Sequence, residues 1–491
     1  KTMKSKLKFF VLAVIGAVCA AGFTSCNDDD DNGDDPAVTG EVIDLGDGSD
    51  NYEIAGDLTL TYPNTYNLKG FVYVPDGKTI TIEPGVVIKG DKASKGTLII
   101  ERGGKIMAKG EQDRPIVFTS SQAPGSRKPG DWGGLIILGK AKNNAGEQTI
   151  EGGVRSKHGG NDDADNSGVL SYVRVEFAGI EYSTDNEING ITFGSVGAGT
   201  QVDHLQVSYS GDDSYEWFGG KVDARYLVSL GCWDDDFDTD NGYQGRVQFA
   251  VALRNPQYAD KSCSNSFESD NNSSGSVIDP TTRPIFANVS LFGPVTDPAN
   301  YQDKGNDKGS TMGCFQTGVQ IRRSSNSNLF NSVIAGYPIG LIIENDKAGS
   351  NSQESATAGT LNISGCVIAG CQKAFQDKAL NPKNRESVID PSDPGTFVSA
   401  YWATAALSNE GVLSSISDLK LKGNPQLLNG TPDMCPNADS PLAAGAVWTN
   451  SYVNNSFFTK TAYRGAFGPT ETASDNWMSG WTNFDPQNTV Y

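Results

Sequence analysis

The sequence predicts an all-β protein, a right-handed parallel β-helix with loop insertions, and two observations support that prediction. Short apolar segments recur along the chain and most end in glycine, such as residues 171–179 (SYVRVEFAG), 203–211 (DHLQVSYSG) and 285–293 (IFANVSLFG). The tetrapeptide VIAG also occurs at 333–336 and again at 367–370. One short strand cannot bury its own apolar face, whereas strands stacked coil upon coil can. A β-sandwich, the alternative, does not explain why the same tetrapeptide returns one coil later.

Four regions follow from the distribution of residue types. Residues 1–25 contain an apolar run behind several lysines, which predicts a lipoprotein signal peptide, and residues 26–51 predict an acidic flexible tether. Residues 52–445 are predicted to form the β-helix. Residues 446–491 are rich in Trp, Phe and Tyr, and we expect them to form an aromatic C-terminal cap packed on the end of the coil.

The N-terminal segment predicts export and a lipid anchor. Cys26 follows Thr24 and Ser25 at the end of the apolar run, an arrangement that resembles a bacterial lipobox, so Cys26 is the predicted lipidation site. The acidic run at 27–35 (NDDDDNGDD) resembles the surface-export signal of Bacteroidetes lipoproteins. We therefore expect an outer-membrane lipoprotein exposed on the cell surface. A periplasmic protein with a disordered acidic linker is the alternative.

Charge and cysteine content restrict the partners and the chemistry. The chain has 39 Lys and Arg against 59 Asp and Glu, and its formal net charge of −20 argues against a nucleic acid partner. Six cysteines remain once Cys19 and Cys26 are set aside, and none belongs to a C-x-x-C pair. An exported chain meets an oxidising compartment, so disulfides are expected, with their pairing left open.

An acidic run, WDDDFDTDNG at 233–242, lies between two apolar strands. An EF-hand calcium loop is rejected, because Asn241 stands where that loop needs glycine and Val247 where it needs glutamate. The run instead aligns with segments that follow the other strands (YEWF, FESD, IRRS, IEND and FQDK). We expect the outward position of these segments to form a ladder of Glu216, Asp238, Glu268, Arg322, Glu344 and Gln376.

Stacked carboxylates repel one another at the rung spacing of about 4.8 Å, so they need solvation, protonation or a bound cation. Ca²⁺ takes about six to eight oxygen ligands and tolerates irregular geometry. The predicted metal ligands are Asp236, Asp238, Asp240, Glu268 and Asp270. A solvated stack of acidic turns is the alternative.

Several segments are similar to a family of β-helix lipoproteins from Bacteroidetes with a pectin-lyase-like fold. They are residues 80–90 (ITIEPGVVIKG), 114–120 (RPIVFTS), 131–141 (DWGGLIILGKA) and 211–228 (GDDSYEWFGGKVDARYLV). The resemblance covers most of the chain from about residue 70 onward. It implies the fold and the membrane location, but no particular activity, because the function of that family is unsettled.

Analogy at the level of the fold raises a polysaccharide lyase or glycoside hydrolase as an alternative function. Its candidate catalytic residues are Asp212, Asp213, Asp238 and Arg322. Asp212 and Asp213 resemble the Gly-Asp-Asp signature of polygalacturonases, and Arg322 is the candidate base of a lyase. However, polygalacturonases carry a Gly-His-Gly motif downstream of the Gly-Asp-Asp signature, and this chain has no histidine after His204.

The preferred prediction is a non-enzymatic surface lipoprotein that binds an extracellular glycan, with Ca²⁺ as its cofactor, and that serves a TonB-dependent transporter. Trp217 and Trp233 are expected to be exposed and to stack on sugar rings. Glu216, Arg322 and Glu344 are expected to hydrogen-bond sugar hydroxyls. A structural or adhesive surface protein is the third alternative.

Overall fold

A computed structural model describes residues 40–380, 387–427 and 430–491. The predicted signal peptide, the lipidation site Cys26 and the tether as far as residue 39 lie outside the described residues. Within them, no helix is long and apolar enough to cross a membrane.

Two long parallel sheets form the walls of a coil, and each turn of the chain adds strands to both. The first sheet has sixteen described strands: Val42–Leu45, Leu58–Leu60, Thr65–Leu68, Thr79–Ile82, Val87–Gly90, Lys105–Lys109, Ile116–Ser120, Gly168–Glu176, Gln201–Ser208, Ala224–Leu230, Arg246–Leu253, Ile285–Phe292, Asn328–Phe330, Val333–Ala335, Ile363–Ser364 and Val367–Ala369. The second sheet has eleven described strands: Tyr52–Glu53, Phe71–Val74, Thr97–Ile100, Leu135–Leu138, Ile191–Gly194, Tyr215–Phe218, Phe237–Asp240, Phe267–Ser269, Thr317–Ile321, Ile339–Ile343 and Lys373–Gln376. The predicted right-handed parallel β-helix is confirmed.

Loop insertions carry the remaining regular structure. Three short antiparallel pairs join Gln148–Thr149 to Lys157–His158, Glu181–Ser183 to Asn186–Glu187, and Lys304–Gly305 to Gly313–Cys314. The described α-helices are Ser352–Ala358 and Thr396–Trp402, and the 3₁₀ helices are Ala405–Leu407 and Ile416–Leu419.

The repeats that predicted the coil pair with each other in the structure. Val333 lies beside Val367 and Ala335 beside Ala369 in adjacent parallel strands. The glycine that ends each of these repeats has a positive φ, 74° at Gly336 and 61° at Gly370. L-amino acids rarely adopt that conformation, which explains why the strand ends there in glycine.

The boundaries of the coil differ from the prediction at both ends. Val42–Leu45, expected in the tether, pairs with Thr65–Leu68, so the coil begins before residue 52. The last coil strand is Lys373–Gln376, well before residue 445. Helix Thr396–Trp402 packs beside this strand and closes the end of the coil, with the rings of Phe375 and Trp402 5.6 Å apart.

The aromatic segment 446–491 does not cap the end of the coil, contrary to the prediction. It runs back along the outside of the first sheet, where side-chain amides of the coil bond its backbone in both directions. Gln248 accepts from the amide of Thr459 and donates to its carbonyl, at 2.8 and 2.7 Å. Gln206 does the same to Asn483, at 2.8 and 2.7 Å. The sequence could not show this. A glutamine side chain hydrogen-bonds the backbone of a distant segment only when the folded chain brings the two segments together.

Candidate functional site

The predicted acidic ladder exists over three rungs of the second sheet. Glu216 is the register partner of Asp238, and Asp238 is the partner of Glu268. The residues before them, Tyr215, Phe237 and Phe267, all point into the core and are buried. Because side chains alternate across a strand, the three carboxylates lie on the outer face.

Beyond Glu268 the predicted register is wrong by two residues. Glu268 pairs with Gln320 rather than with Arg322, and Gln376 pairs with Ile342 rather than with Glu344. Gln320 pairs with Ile342, which keeps Arg322 and Glu344 in one row, as predicted. A shift of two keeps every side chain on its predicted face, since the period of a strand is two. It moves Arg322 along the strand from the row of Glu268 to the row of Asp270.

A second row of polar residues runs beside the ladder, and of its members only Asp213 was predicted from the sequence, as a candidate catalytic residue. Asp213, Asp235 and Asn265 each stand two residues before the inward aromatic of their rung. Asp213 accepts a hydrogen bond from the amide of Asp235 (2.7 Å), and Asp235 accepts one from the amide of Asn265 (2.5 Å). Asn265 in turn accepts from the amide of Thr317 at 3.2 Å. An Asp or Asn two places before the inward aromatic was the signal available in the sequence.

Together the two rows line an acidic cleft of about 500 Å³ on the outer face of the coil. Its lining holds eleven acids against three cations, a formal charge of −8; the acids are Glu151, Asp185, Glu187, Asp212, Asp213, Glu216, Asp234, Asp235, Asp238, Asp260 and Glu268. Three groups of carboxylates have oxygens within 4.8 Å of one another: Asp212 with Asp213 and Asp234, Asp213 with Glu216 and Asp238, and Asp235 with Asp238 and Glu268.

Asp238 lies at the centre of this arrangement and belongs to two of the three groups. Its Oδ1 atom is buried and has no hydrogen-bond partner among the described residues. Burial, followed by repulsion from Glu268 and Asp240, raises the pKa of Asp238 well above its usual range. A buried carboxylate oxygen without a donor is costly unless it is protonated or meets a cation.

Crowding changes the protonation of the whole cleft. Burial and neighbouring carboxylates raise the pKa of Asp213 and of Asp235 well above the ordinary value. Burial, followed by repulsion from Asp260, raises the pKa of Asp234 to about 8. Burial raises the pKa of Glu268 to about 7, although Arg322 opposes the shift. In the absence of a cation, several of these groups therefore hold protons near neutral pH.

Two arginines neutralise one edge of the cleft. Arg322 donates to Glu268 and, at 2.9 Å, to Asp270. Arg323 donates to the other oxygen of Asp270 at 2.6 Å. Arg322 is held by two carboxylates that raise its pKa, in opposition to burial, so it is poorly suited to the predicted role of a base.

Three of the five predicted metal ligands do not line the cleft. Asp236 points into the protein, where it is fully buried, pairs with Arg254 at 3.3 Å and accepts from Ser229 and Ser266. Asp270 is bonded by both arginines, and Asp240 stands beside it outside the cleft lining. Burial and then Asp270 raise the pKa of Asp240 to about 8. Asp238 and Glu268 are the two predicted ligands that line the cleft.

The predicted exposure of two tryptophans is wrong. Trp217 is fully buried in the core and stacks against Phe193 and Tyr243 at 5.7 and 5.4 Å. Trp233 is 8% exposed, and its indole nitrogen donates to the carbonyl of Asn306 at 2.8 Å. Trp217 sits one place beyond Glu216, and this single step places it on the inner face.

Glu344 is also outside the cleft. It is 2% exposed, and its two oxygens accept from Gln320 at 2.7 Å and from the amide of Ala379 at 2.9 Å. The Glu344 carboxylate is thus hydrogen-bonded on both oxygens and holds the loop that contains Ala379. The expected contact of Glu344 with a sugar would require these bonds to break.

A disulfide reinforces the wall of the cleft. Cys263, which lines the cleft, is bonded to Cys314 across a sequence separation of 51 residues. It ties the loop before the strand Phe267–Ser269 to the insertion at 294–314. Cys232, Cys366, Cys371 and Cys435 are free thiols.

The fold and the cleft together define a parallel β-helix protein with a carboxylate-lined groove on one face of its coil. Residues 52–401 match the family model described as a pectate-lyase-like β-helix domain, and the chain belongs to that family. Such a domain fits a carbohydrate-related function. No curated protein and no solved structure matches the chain significantly.

Proposed function

We propose that the protein binds an acidic glycan in the acidic cleft and that Ca²⁺ bridges the two. The observation that carries the proposal is the position of Asp238, whose buried Oδ1 has no partner and which belongs to two of the carboxylate groups. A cleft of this charge disfavours an anionic ligand, whereas a bound cation offsets part of the charge and presents a positive centre to the ligand.

The residues present fit a calcium ion. Hard carboxylate oxygens are the ligands that Ca²⁺ prefers, and irregular clusters suit it better than they suit Mg²⁺. Asp213, Glu216 and Asp238 would hold one ion, and Asp235, Asp238 and Glu268 are the alternative set around the same central residue. When bound, the ion would supply a positive charge that a carboxylate or hydroxyl oxygen of the sugar could coordinate. The chain's own role is to fix the two rows at rung spacing.

Isothermal titration calorimetry tests the proposal by measuring the binding of a galacturonic acid hexasaccharide in Ca²⁺ and in a chelator. We expect a calcium-dependent component of binding that Asp238→Asn removes. Asp113→Asn is the matched control, because Asp113 is an exposed acid that does not line the acidic cleft. If the affinity for the hexasaccharide is the same with and without Ca²⁺ in Asp113→Asn as well as in Asp238→Asn, the bridging cation is refuted.

A second candidate function, hydrolysis of a polysaccharide, draws on the raised pKa values. Burial and adjacent carboxylates raise the pKa of Asp212 and of Asp213 well above the usual range, as a general acid requires. Under this hypothesis the wild type releases reducing ends from the hexasaccharide, and Asp212→Asn, which lies outside both proposed Ca²⁺ sets, abolishes that release. Binding without any product favours the first proposal.

The cellular location rests on the N-terminal sequence. We propose that Cys26 carries a lipid that anchors the protein to the outer membrane, exposed on the cell surface, where it could pass glycan to a TonB-dependent transporter. Metabolic labelling with an alkyne fatty acid is expected to mark the wild type and not Cys26→Ser. A Cys26→Ser protein that still takes up label and stays in the membrane fraction would contradict the anchor.

A further inference from the structure

A second cleft, of about 790 Å³, lies beside the acidic cleft. Its walls come from the turns after the first-sheet strands, from the insertion around residues 306–309 and from the C-terminal segment at 484–488. Its volume falls in the range of about 300–1,000 Å³ that is usual for small-ligand sites. We call it the aromatic cleft.

Four aromatic side chains form a continuous row along this cleft, of which Tyr209 and Tyr258 are partly exposed and Phe177 and Trp233 are buried behind them. Phe177 stacks on Tyr209 with ring centroids 5.5 Å apart, Tyr209 meets Tyr258 edge-on at 6.1 Å, and Tyr258 contacts Trp233 at 5.0 Å. The hydroxyls of Tyr209 and Tyr258 have no hydrogen-bond partner among the described residues, although both residues line the cleft. The partly exposed rings of Tyr209 and Tyr258, with their free hydroxyls, suit the alternating apolar and hydroxyl surface of a sugar.

The charge of the aromatic cleft is opposite to that of the acidic one. Four cations and two acids line it, a formal charge of +2 on a chain whose net charge is −20; the cations are Lys92, Arg127, Lys128 and Lys308. Lys92 pairs with Asp131 at 2.8 Å, and Arg127 donates to the carbonyls of Pro486 and Thr489. Lys128, by contrast, has no ion-pair partner among the described residues and is exposed.

The two clefts are adjacent and share one wall. Lys308 lines the aromatic cleft and Glu187 lines the acidic one, and the two side chains form an ion pair. Trp233 lines the aromatic cleft, while the next residue, Asp234, lines the acidic cleft. A single extended ligand could therefore contact both.

We propose that the aromatic cleft is a second carbohydrate site, which binds an acidic oligosaccharide through Tyr209, Tyr258 and Lys128 without a metal ion. The proposal extends the ligand class of the proposed function to a new site. Binding in the aromatic cleft requires no cation, unlike binding in the acidic cleft. An experiment can therefore reject either site without rejecting the other.

Calorimetry in chelator, with the galacturonic acid hexasaccharide as the probe, isolates this site. We expect the wild type to bind, and both Lys128→Gln and the double variant Tyr209→Phe/Tyr258→Phe to bind about 3- to 10-fold more weakly. Lys105→Gln is the matched control, since Lys105 is exposed and lines neither cleft. The carboxyl-reduced, neutral hexasaccharide is expected to bind more weakly than the acidic one, and Asp238→Asn is expected to bind normally.

Three results would overturn the proposal. They are no binding in chelator, binding in chelator that both cleft variants leave unchanged, and loss of that binding in Asp238→Asn. Equal affinity for the neutral and the acidic hexasaccharide would refute the part assigned to Lys128. If binding occurs only with Ca²⁺ and depends on Asp238, the aromatic site is rejected while the proposed function survives.

Discussion

Asp238 and Glu268 are register partners on adjacent parallel strands, and their carboxylate oxygens lie within 4.8 Å of each other and of Asp235. The coil thus places like charges at the repeat distance of its own backbone. A parallel ladder cannot relieve this repulsion by moving the strands apart, because the backbone hydrogen bonds fix their spacing. Protonation, arginine pairing and a cation remain as the means of relief.

Calcium should stabilise the protein through this cluster. A ligand that binds only the folded state at about 100 times its Kd adds about 2.7 kcal/mol to the free energy of unfolding. We therefore expect a higher Tm in Ca²⁺ than in chelator, measured by scanning calorimetry. The difference should disappear in Asp238→Asn and persist in the control Asp113→Asn. Superimposed melting curves of the wild type would show that no ion binds here.

Without calcium, lowering the pH from about 8 to about 6.5 should raise the stability of the protein. The pKa values of Asp234 and Glu268 are raised to about 8 and about 7, so the folded state binds more protons than the unfolded state in this window. Stability then falls as pH rises. Chemical denaturation in chelator at a series of pH values measures this slope, and saturating Ca²⁺ should flatten it. A Tm that rises with pH in chelator would contradict the raised pKa values.

Replacing Arg322 should destabilise the acidic edge of the cleft. Arg322→Gln leaves Glu268 and Asp270 with one cation fewer, and loss of one partner from a mostly buried ion pair costs about 3–5 kcal/mol. Denaturation in chelator is expected to show a loss toward the lower end of this range, since the Arg322 side chain is 20% exposed. Lys69→Gln serves as the control, because Lys69 pairs with Asp44 on an exposed surface and should cost about 0–1 kcal/mol. If the two substitutions lower the free energy of unfolding equally, the ion pairs of Arg322 contribute no more to stability than an exposed pair does.

Truncating Trp217 should affect stability rather than sugar contact. Trp217→Ala removes a fully buried ring, and such changes cost about 3–5 kcal/mol in the free energy of unfolding. We expect a lower Tm with no ligand present. Tyr62→Ala, at a residue that is 51% exposed, is the control and should change stability by less than about 0.5 kcal/mol. An unchanged Tm in Trp217→Ala, together with weaker glycan binding, would restore the exposed role expected from the sequence.

Local pattern was sufficient to predict much of the acidic cleft. Glu216, Asp238 and Glu268 follow an inward aromatic in three similar segments, so their shared face could be read from a period of two. The row of Asp213 and Asp235 could have been predicted in the same way, since each of these residues stands two places before that aromatic. The register beyond Glu268 could not, because the insertion at 294–314 separates the strands and leaves the alignment of the next rung undetermined.

The sequence by itself determined the parallel β-helix, because glycine-ended strands and a returning VIAG segment require stacked coils to bury their apolar faces. Tertiary structure alone decided which acids meet. Asp236 turns inward to Arg254 while Asp234 and Asp235 turn outward, although all three are adjacent in one run. It also decided that the C-terminal aromatics cover the side of the coil. The physical reason is the same in both cases: a side chain's partners come from neighbouring rungs, which lie tens of residues away along the chain.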